Sequence, residues 1–122
     1  MKALDEAFVT RLLTAFYDKV HQDPELGPVF DRIIGDGWPA HVRRIESFWR
    51  MALRISRGYH GPDFMPAHLQ HEMIRADQLE RWLALFEQTV DEVAPPSARE
   101  RLMLIASAMA ANLRIGLERR DL

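Results

Sequence analysis

Apolar residues recur at intervals of three and four through most of this chain, and no stretch shows the strict alternation that a half-buried strand needs. That period confines the chain to packed helices. From Leu4 to about His21 the positions Phe8, Leu12, Leu13, Phe16, Tyr17 and Val20 share one helical face, with Asp5 placed to cap it. Asp23-Pro24-Glu25-Leu26 sets a capping residue before a proline at the first helical position, opening a short second helix through Phe30 and Ile34 that Gly35 and Gly37 end. Pro39 suits the start of a third helix running to about Ile55. Ala40, His41, Ile45, Phe48, Trp49 and Ala52 form its apolar stripe, and Arg43, Arg44, Glu46 and Arg50 its other face. Asp77 is placed to cap a long helix in which Leu79, Trp82, Leu83, Phe86 and Val90 keep the period. Pro95-Pro96 stops it, and Ser97-x-x-Glu100 reads as a capping box for a last helix with Leu102, Ile105, Met109, Leu113 and Leu117 inward. The run SRGYHGPDFMP from Ser56 to Pro66 is the one long irregular segment, and a brief helix near Pro66 carries His68, Leu69 and Glu72. The expectation is one all-α domain over residues 1–122, with about four long helices and two short ones.

Composition removes several classes of function. A formal net charge of −2 gives no basic surplus for nucleic acid. The absence of cysteine excludes disulfides, thiolate-held zinc and iron–sulfur clusters, so a metal must be held by His, Tyr, Met or carboxylates. The amino terminus MKALDEAF is charged and amphipathic where a signal peptide is apolar, and no stretch approaches the length of a membrane span. The expectation is a soluble, cytoplasmic protein without nucleic-acid or membrane partners. A di-iron bundle requires paired Glu-x-x-His motifs, and the nearest approach is a single Asp18-x-x-His21; a zinc peptidase requires His-Glu-x-x-His, and His71-Glu72 lacks the second histidine. No glycine-rich phosphate loop or nucleophile elbow is present, and no catalytic residue is assigned.

Four rings that each carry a polar atom, Tyr17, His41, His68 and Trp82, fall on the apolar faces of four separate helical segments. Burying such an atom without a partner costs roughly 1–3 kcal/mol, so their convergence implies something for them to contact. Taken singly, each has an ordinary reading: His41 as a satisfied core histidine, Tyr17 as packing with its hydroxyl at the surface, Trp82 and Trp49 as bulky filler. His68 follows the irregular loop, where a metal ligand can be presented without distorting a long helix, and His71 one turn later is the alternative. Taken together, and surrounded by Phe, Leu, Ile and Met, the four suit a flat apolar macrocycle held by one axial imidazole.

The order of the residues resembles the truncated haemoglobins of the third group, over nearly the whole chain. The resemblance is carried by Phe16-Tyr17-Asp18-Lys19-Val20, by Asp23-Pro24-Glu25-Leu26-Gly27-Pro28-Val29-Phe30, and by Trp38-Pro39-Ala40-His41 with Phe48-Trp49. It continues through Tyr59-His60-Gly61-Pro62, His68-Leu69 and Trp82-Leu83-Ala84-Leu85-Phe86. It implies a shortened globin fold in which two antiparallel helix pairs, two over two, sandwich a haem b. It further implies His68 as the proximal iron ligand, Tyr17, His41 and Trp82 at the distal positions, and Phe30, Ile45, Phe48 and Trp49 as the pocket wall. The implied partner is dioxygen or another diatomic gas such as nitric oxide or carbon monoxide, with the Tyr17 hydroxyl and the Trp82 indole as donors to it. Arg43, Arg44 and Arg75 are candidates to pair with haem propionates. The chain departs from the family pattern at Gly61-Pro62-Asp63-Phe64-Met65-Pro66, where a proline stands close before the ligand, and at His71, which offers a competing imidazole. An enzymatic alternative, nitric oxide dioxygenation or peroxide chemistry, requires a separate reductase because no flavin or nicotinamide module is present. A third reading is a helical interaction module with no cofactor. The expected state is a monomer or a weak homo-oligomer.

Overall fold

The computed structural model describes residues 4–53 and 75–121, and every regular element within them is helical. Among the described residues there are five α-helices: α1 (Glu6–Gln22), α2 (Leu26–Ile34), α3 (Trp38–Ala52), α4 (Asp77–Val93) and α5 (Arg99–Arg120). Short 3-10 turns at Gly35–Gly37 and Pro96–Ala98 lead into α3 and α5. α3 ends at Ala52 with Leu53 as its C-cap, a little before the expected Ile55, and the expected brief helix near Pro66 and the loop from Ser56 lie outside the described residues.

α1 is the hub, because α2, α3 and α4 all pack against it. Phe8, Val9, Leu12, Leu13, Phe16, Tyr17 and Val20 are all buried along it, a band wider than a single stripe. Each large aliphatic or aromatic side chain so buried contributes on the order of 1.5–3 kcal/mol. α4 lies between α1 and α5 and buries Leu79, Phe86, Thr89 and Val90. The Thr89 hydroxyl, fully buried, donates to the Leu85 carbonyl at 2.8 Å, so it enters the core without an orphaned polar group.

Local chemistry sets the helix ends. The Asp5 carboxylate accepts from the Phe8 N–H at 2.8 Å, as its position implied. The Asp23 carboxylate accepts from the N–H groups of Glu25 (3.1 Å) and Leu26 (2.8 Å), while its carbonyl accepts from Gly27 N–H at 2.9 Å. In hydrogen-bonding terms Asp23 therefore starts α2, although regular winding is first met at Leu26. Gly35 closes α2 at φ +54°, a region that residues with a Cβ rarely enter. Gly27 serves a different need: a Cβ there would lie 2.6 Å from the His21 carbonyl oxygen, so glycine lets α2 pass against the end of α1.

Two expected caps are not formed. Asp77 does not cap α4, because its carboxylate is taken by Arg75 at 3.0 Å. The Gln78 side chain instead accepts from the Arg75 N–H at 2.9 Å, and the N–H groups of Gln78 and Leu79 turn back to the Arg75 and Ala76 carbonyls. Ser97 does not cap α5, because Pro96–Ala98 winds as a 3-10 turn and α-helical geometry begins only at Arg99, with no side-chain cap. The inward face of α5 also differs in detail. Leu102, Ala106, Ala110, Leu113 and Leu117 are buried, whereas Ile105 and Met109 lie half-buried beside them. On α3, Glu46 and Arg50 are half-buried rather than fully outward, since Glu46 accepts from Thr10 at 3.0 Å and approaches Arg50 at 3.8 Å.

Candidate functional site

The corner where α1, α2 and α3 meet gathers a cluster of rings around Tyr17. Tyr17 projects from the buried face of α1 and is 7% exposed. Its ring stands edge-on to His41 at 5.7 Å and to Trp38 at 5.4 Å, and 6.4 Å from Phe30. Trp38 opens α3 and His41 follows one turn later, which turns both rings toward the same α1 side chain. Trp38 also stacks on Phe30 at 6.0 Å and meets His41 edge-on at 5.7 Å. Such edge-on and offset arrangements are those the ring quadrupoles prefer.

The polar atoms of this cluster are enclosed. Trp38 Nε1 is buried with no hydrogen-bond partner among the described residues, and His41 Nε2 is buried beside it. Burial pushes the Tyr17 phenol further above its ordinary range, so the group is a neutral O–H donor at any physiological pH. At the rim, the His21 ring lies 4.1 Å from Trp38, and its Nδ1 is 3.1 Å from the Asp31 carboxylate. The last turn of α1 is thereby tied to α2 and to the head of α3.

A second group of rings continues inward. Trp82 of α4 stacks on Phe86 at 5.8 Å, and Phe86 stacks in turn on Trp49 of α3 at 5.3 Å. Phe16 is edge-on to both Trp82 (5.5 Å) and Phe86 (5.3 Å) and lies 4.9 Å from Tyr17. Tyr17 and Trp82 are thus neighbours through Phe16. Of the expected wall, Trp49 is fully buried, while Phe30, Ile45 and Phe48 are half-buried against the same core. Partial exposure of these apolar side chains, beside buried ones, leaves an apolar surface at the edge of the core.

His68 and the alternative ligand His71 lie outside the described residues. Among the described residues no three His, Cys, Asp or Glu side chains gather in a way that could hold a metal ion by themselves. Of the proposed propionate partners, Arg43 and Arg44 are exposed, and Arg75 is engaged by Asp77. Trp38 is the residue that the periodicity did not single out. It begins a helix rather than sitting within a stripe, and in the sequence it stood only in the motif Trp38-Pro39-Ala40-His41 that carries the resemblance, with no site role of its own.

No protein-family model matches the chain. The chain is 27% identical over 114 residues to the group 3 truncated hemoglobin ctb of Campylobacter jejuni, covering 91% of this chain and 89% of that protein. Its structure is similar to the crystal structure of a group III truncated hemoglobin from Campylobacter jejuni, with a TM-score of 0.87, 27% identity, and coverage of 96% of this chain and 94% of the other. The fold is all-α and is that of a truncated globin, and the resemblance read from the motifs extends through sequence and structure alike.

Proposed function

We propose that this chain is a haem protein that takes dioxygen, or another diatomic gas such as nitric oxide or carbon monoxide, at the iron of a haem b. The observation that carries the reading is the enclosed polar ring cluster, above all the buried Trp38 N–H with no partner among the described residues. An unsatisfied buried donor costs roughly 1–3 kcal/mol, and a group seated against it relieves that cost. The apolar surfaces of Phe30, Ile45 and Phe48, half-buried against the same core, suit the faces and edges of a macrocycle. The similarity to truncated haemoglobins over nearly the whole length supports the same reading.

When bound, ferrous haem supplies an open coordination position for a diatomic molecule. His68 is the residue assigned to hold the iron, through one ring nitrogen of a neutral imidazole. Its other nitrogen then has an N–H to donate, which fixes the tautomer. Tyr17 is assigned as the principal donor to the gas. Its hydroxyl keeps its proton because burial opposes ionisation, and its ring is held by Phe16, Trp38 and His41, so it donates with little reorganisation. Trp82 is assigned as a second donor and His41 as a polar neighbour of Tyr17 that limits access. A hydrogen bond to an acceptor with charge contributes on the order of 1.5–3 kcal/mol, or one to two decades in affinity.

The test is spectroscopic. The purified chain supplied with haem is expected to show an intense Soret band that His68→Ala abolishes and His71→Ala spares. Normal haem uptake by His68→Ala overturns the ligand assignment. Tyr17→Phe is expected to speed oxygen release by about one to two decades, following the hydrogen-bond magnitude above; an unchanged rate removes Tyr17 from the donor role.

A further inference from the structure

The outer face of α5 carries the two large hydrophobic side chains that are exposed among the described residues: Leu104, 70% exposed, and Ile115, 49% exposed. They lie on one side of the helix with Ala108 and Ala111 between them, and Arg101 and Glu118 continue the row at its two ends. All six positions are exposed. The opposite face, with Leu102, Ala106, Leu113 and Leu117, is the one turned into the core. α5 therefore has two apolar faces, and among the described residues the core covers one of them.

The order of the exposed row is its most specific property. From Arg101 through Leu104, Ala108, Ala111 and Ile115 to Glu118 the steps are three, four, three, four and three residues, so the spacing reads the same in both directions. Reversal also sets leucine against isoleucine, alanine against alanine, and the arginine against the oppositely charged glutamate. We infer that α5 pairs in antiparallel fashion with α5 of a second copy of this chain.

In that arrangement Leu104 meets Ile115 of the partner at two symmetric places, and the alanines at the centre let the helix backbones come close. Arg101 faces Glu118 of the partner twice. A parallel pairing instead sets each arginine beside its own copy and each glutamate beside its own copy, and like charges in register oppose it. The antiparallel pair is isologous, the arrangement by which two identical surfaces close on each other without growing into a filament. Within its own chain the Arg101 Nη2 donates to the Leu53 carbonyl at 3.1 Å, and the guanidinium has further N–H groups to offer to Glu118 of the partner. One helix pair is a small interface, so the dimer forms reversibly with concentration.

Sedimentation equilibrium of the full chain from low micromolar to near-millimolar concentration reads the association directly. Leu104→Glu, at a position already in water, is expected to keep the helical content and abolish the dimer. Arg101→Glu and Glu118→Arg are each expected to weaken self-association by tenfold or more, a magnitude of about 1.4 kcal/mol. The doubly exchanged chain is expected to recover it, which a merely structural role for Arg101 at Leu53 does not allow. Orientation is read by cross-linking, since the chain has no cysteine of its own. Leu104→Cys mixed with Ile115→Cys is expected to form the disulfide-linked heterodimer in preference to either homodimer. A chain that stays monomeric at every concentration, or Leu104→Cys that cross-links to itself best, overturns the proposal.

Discussion

Trp38 sits where three helices meet, its ring against Tyr17, His21, Phe30 and His41 and its N–H buried without an acceptor among the described residues. Replacing it with phenylalanine removes the orphaned donor but leaves a void. These effects are each of order 1–3 kcal/mol and opposite in sign. Trp38→Phe is therefore expected to leave the stability of the cofactor-free chain within about 1 kcal/mol of the parent, by urea unfolding, while lowering the rise in melting temperature on adding haem. An undiminished rise shows that the indole N–H meets nothing in the loaded protein. Tyr17 and His41 were legible in the sequence because each sits on an apolar stripe. Trp38 was not, because a residue at a helix head belongs to no stripe and its direction depends on how α3 leaves the 3-10 turn before it.

Helices were the most legible level of this chain, and their ends the least. The apolar period located α1, α3, α4 and α5 because a continuous stripe is an average over many residues. A cap depends on one side chain that a neighbour can claim, as Arg75 claims Asp77 and as the 3-10 turn displaces Ser97. The close passage of α2 over the end of α1 is another detail that periodicity does not carry. There Gly27→Ala places a methyl group 2.6 Å from the His21 carbonyl and 3.2 Å from that of Val20, against backbone that cannot rotate away. The substitution is expected to destabilise the fold by about 1–3 kcal/mol, the usual range for overpacking. Chemical denaturation checks it, and a neutral result means that α2 shifts on α1 at little cost.

Across the whole molecule, Asp23 joins two distant parts of the chain. Its carboxylate accepts from Arg81 Nε at 2.7 and 2.8 Å while capping the start of α2, so it binds the α1–α2 corner to α4. The Arg81 hydrogen bond first, then the Leu26 and Glu25 N–H groups, hold the Asp23 carboxyl below the usual carboxylate range against the opposing effect of burial. Because the folded form binds its proton less readily than the unfolded one, this stabilisation is complete above the unfolded carboxyl range near pH 4 and is lost as pH falls through the lower folded value. Asp23→Asn is expected to cost about 1 kcal/mol at neutral pH, modest because Arg81 remains partly in water, and to flatten the acid limb of a stability–pH profile. An unchanged acid limb assigns that limb to other carboxylates.

The amino-acid sequence by itself determined the all-helical class, the apolar faces and the lack of thiolate chemistry. These follow from period and residue type, which are local or compositional. Only the tertiary structure decided that Phe16 stands between Tyr17 and Trp82, that Trp38 completes the Tyr17 cluster with an orphaned N–H, and that Asp23 reaches Arg81. It also decided which of the two apolar faces of α5 the core covers. Such outcomes depend on helix crossing and on competition among side chains for the same partner, and both arise only once segments far apart in the chain share one packed interior.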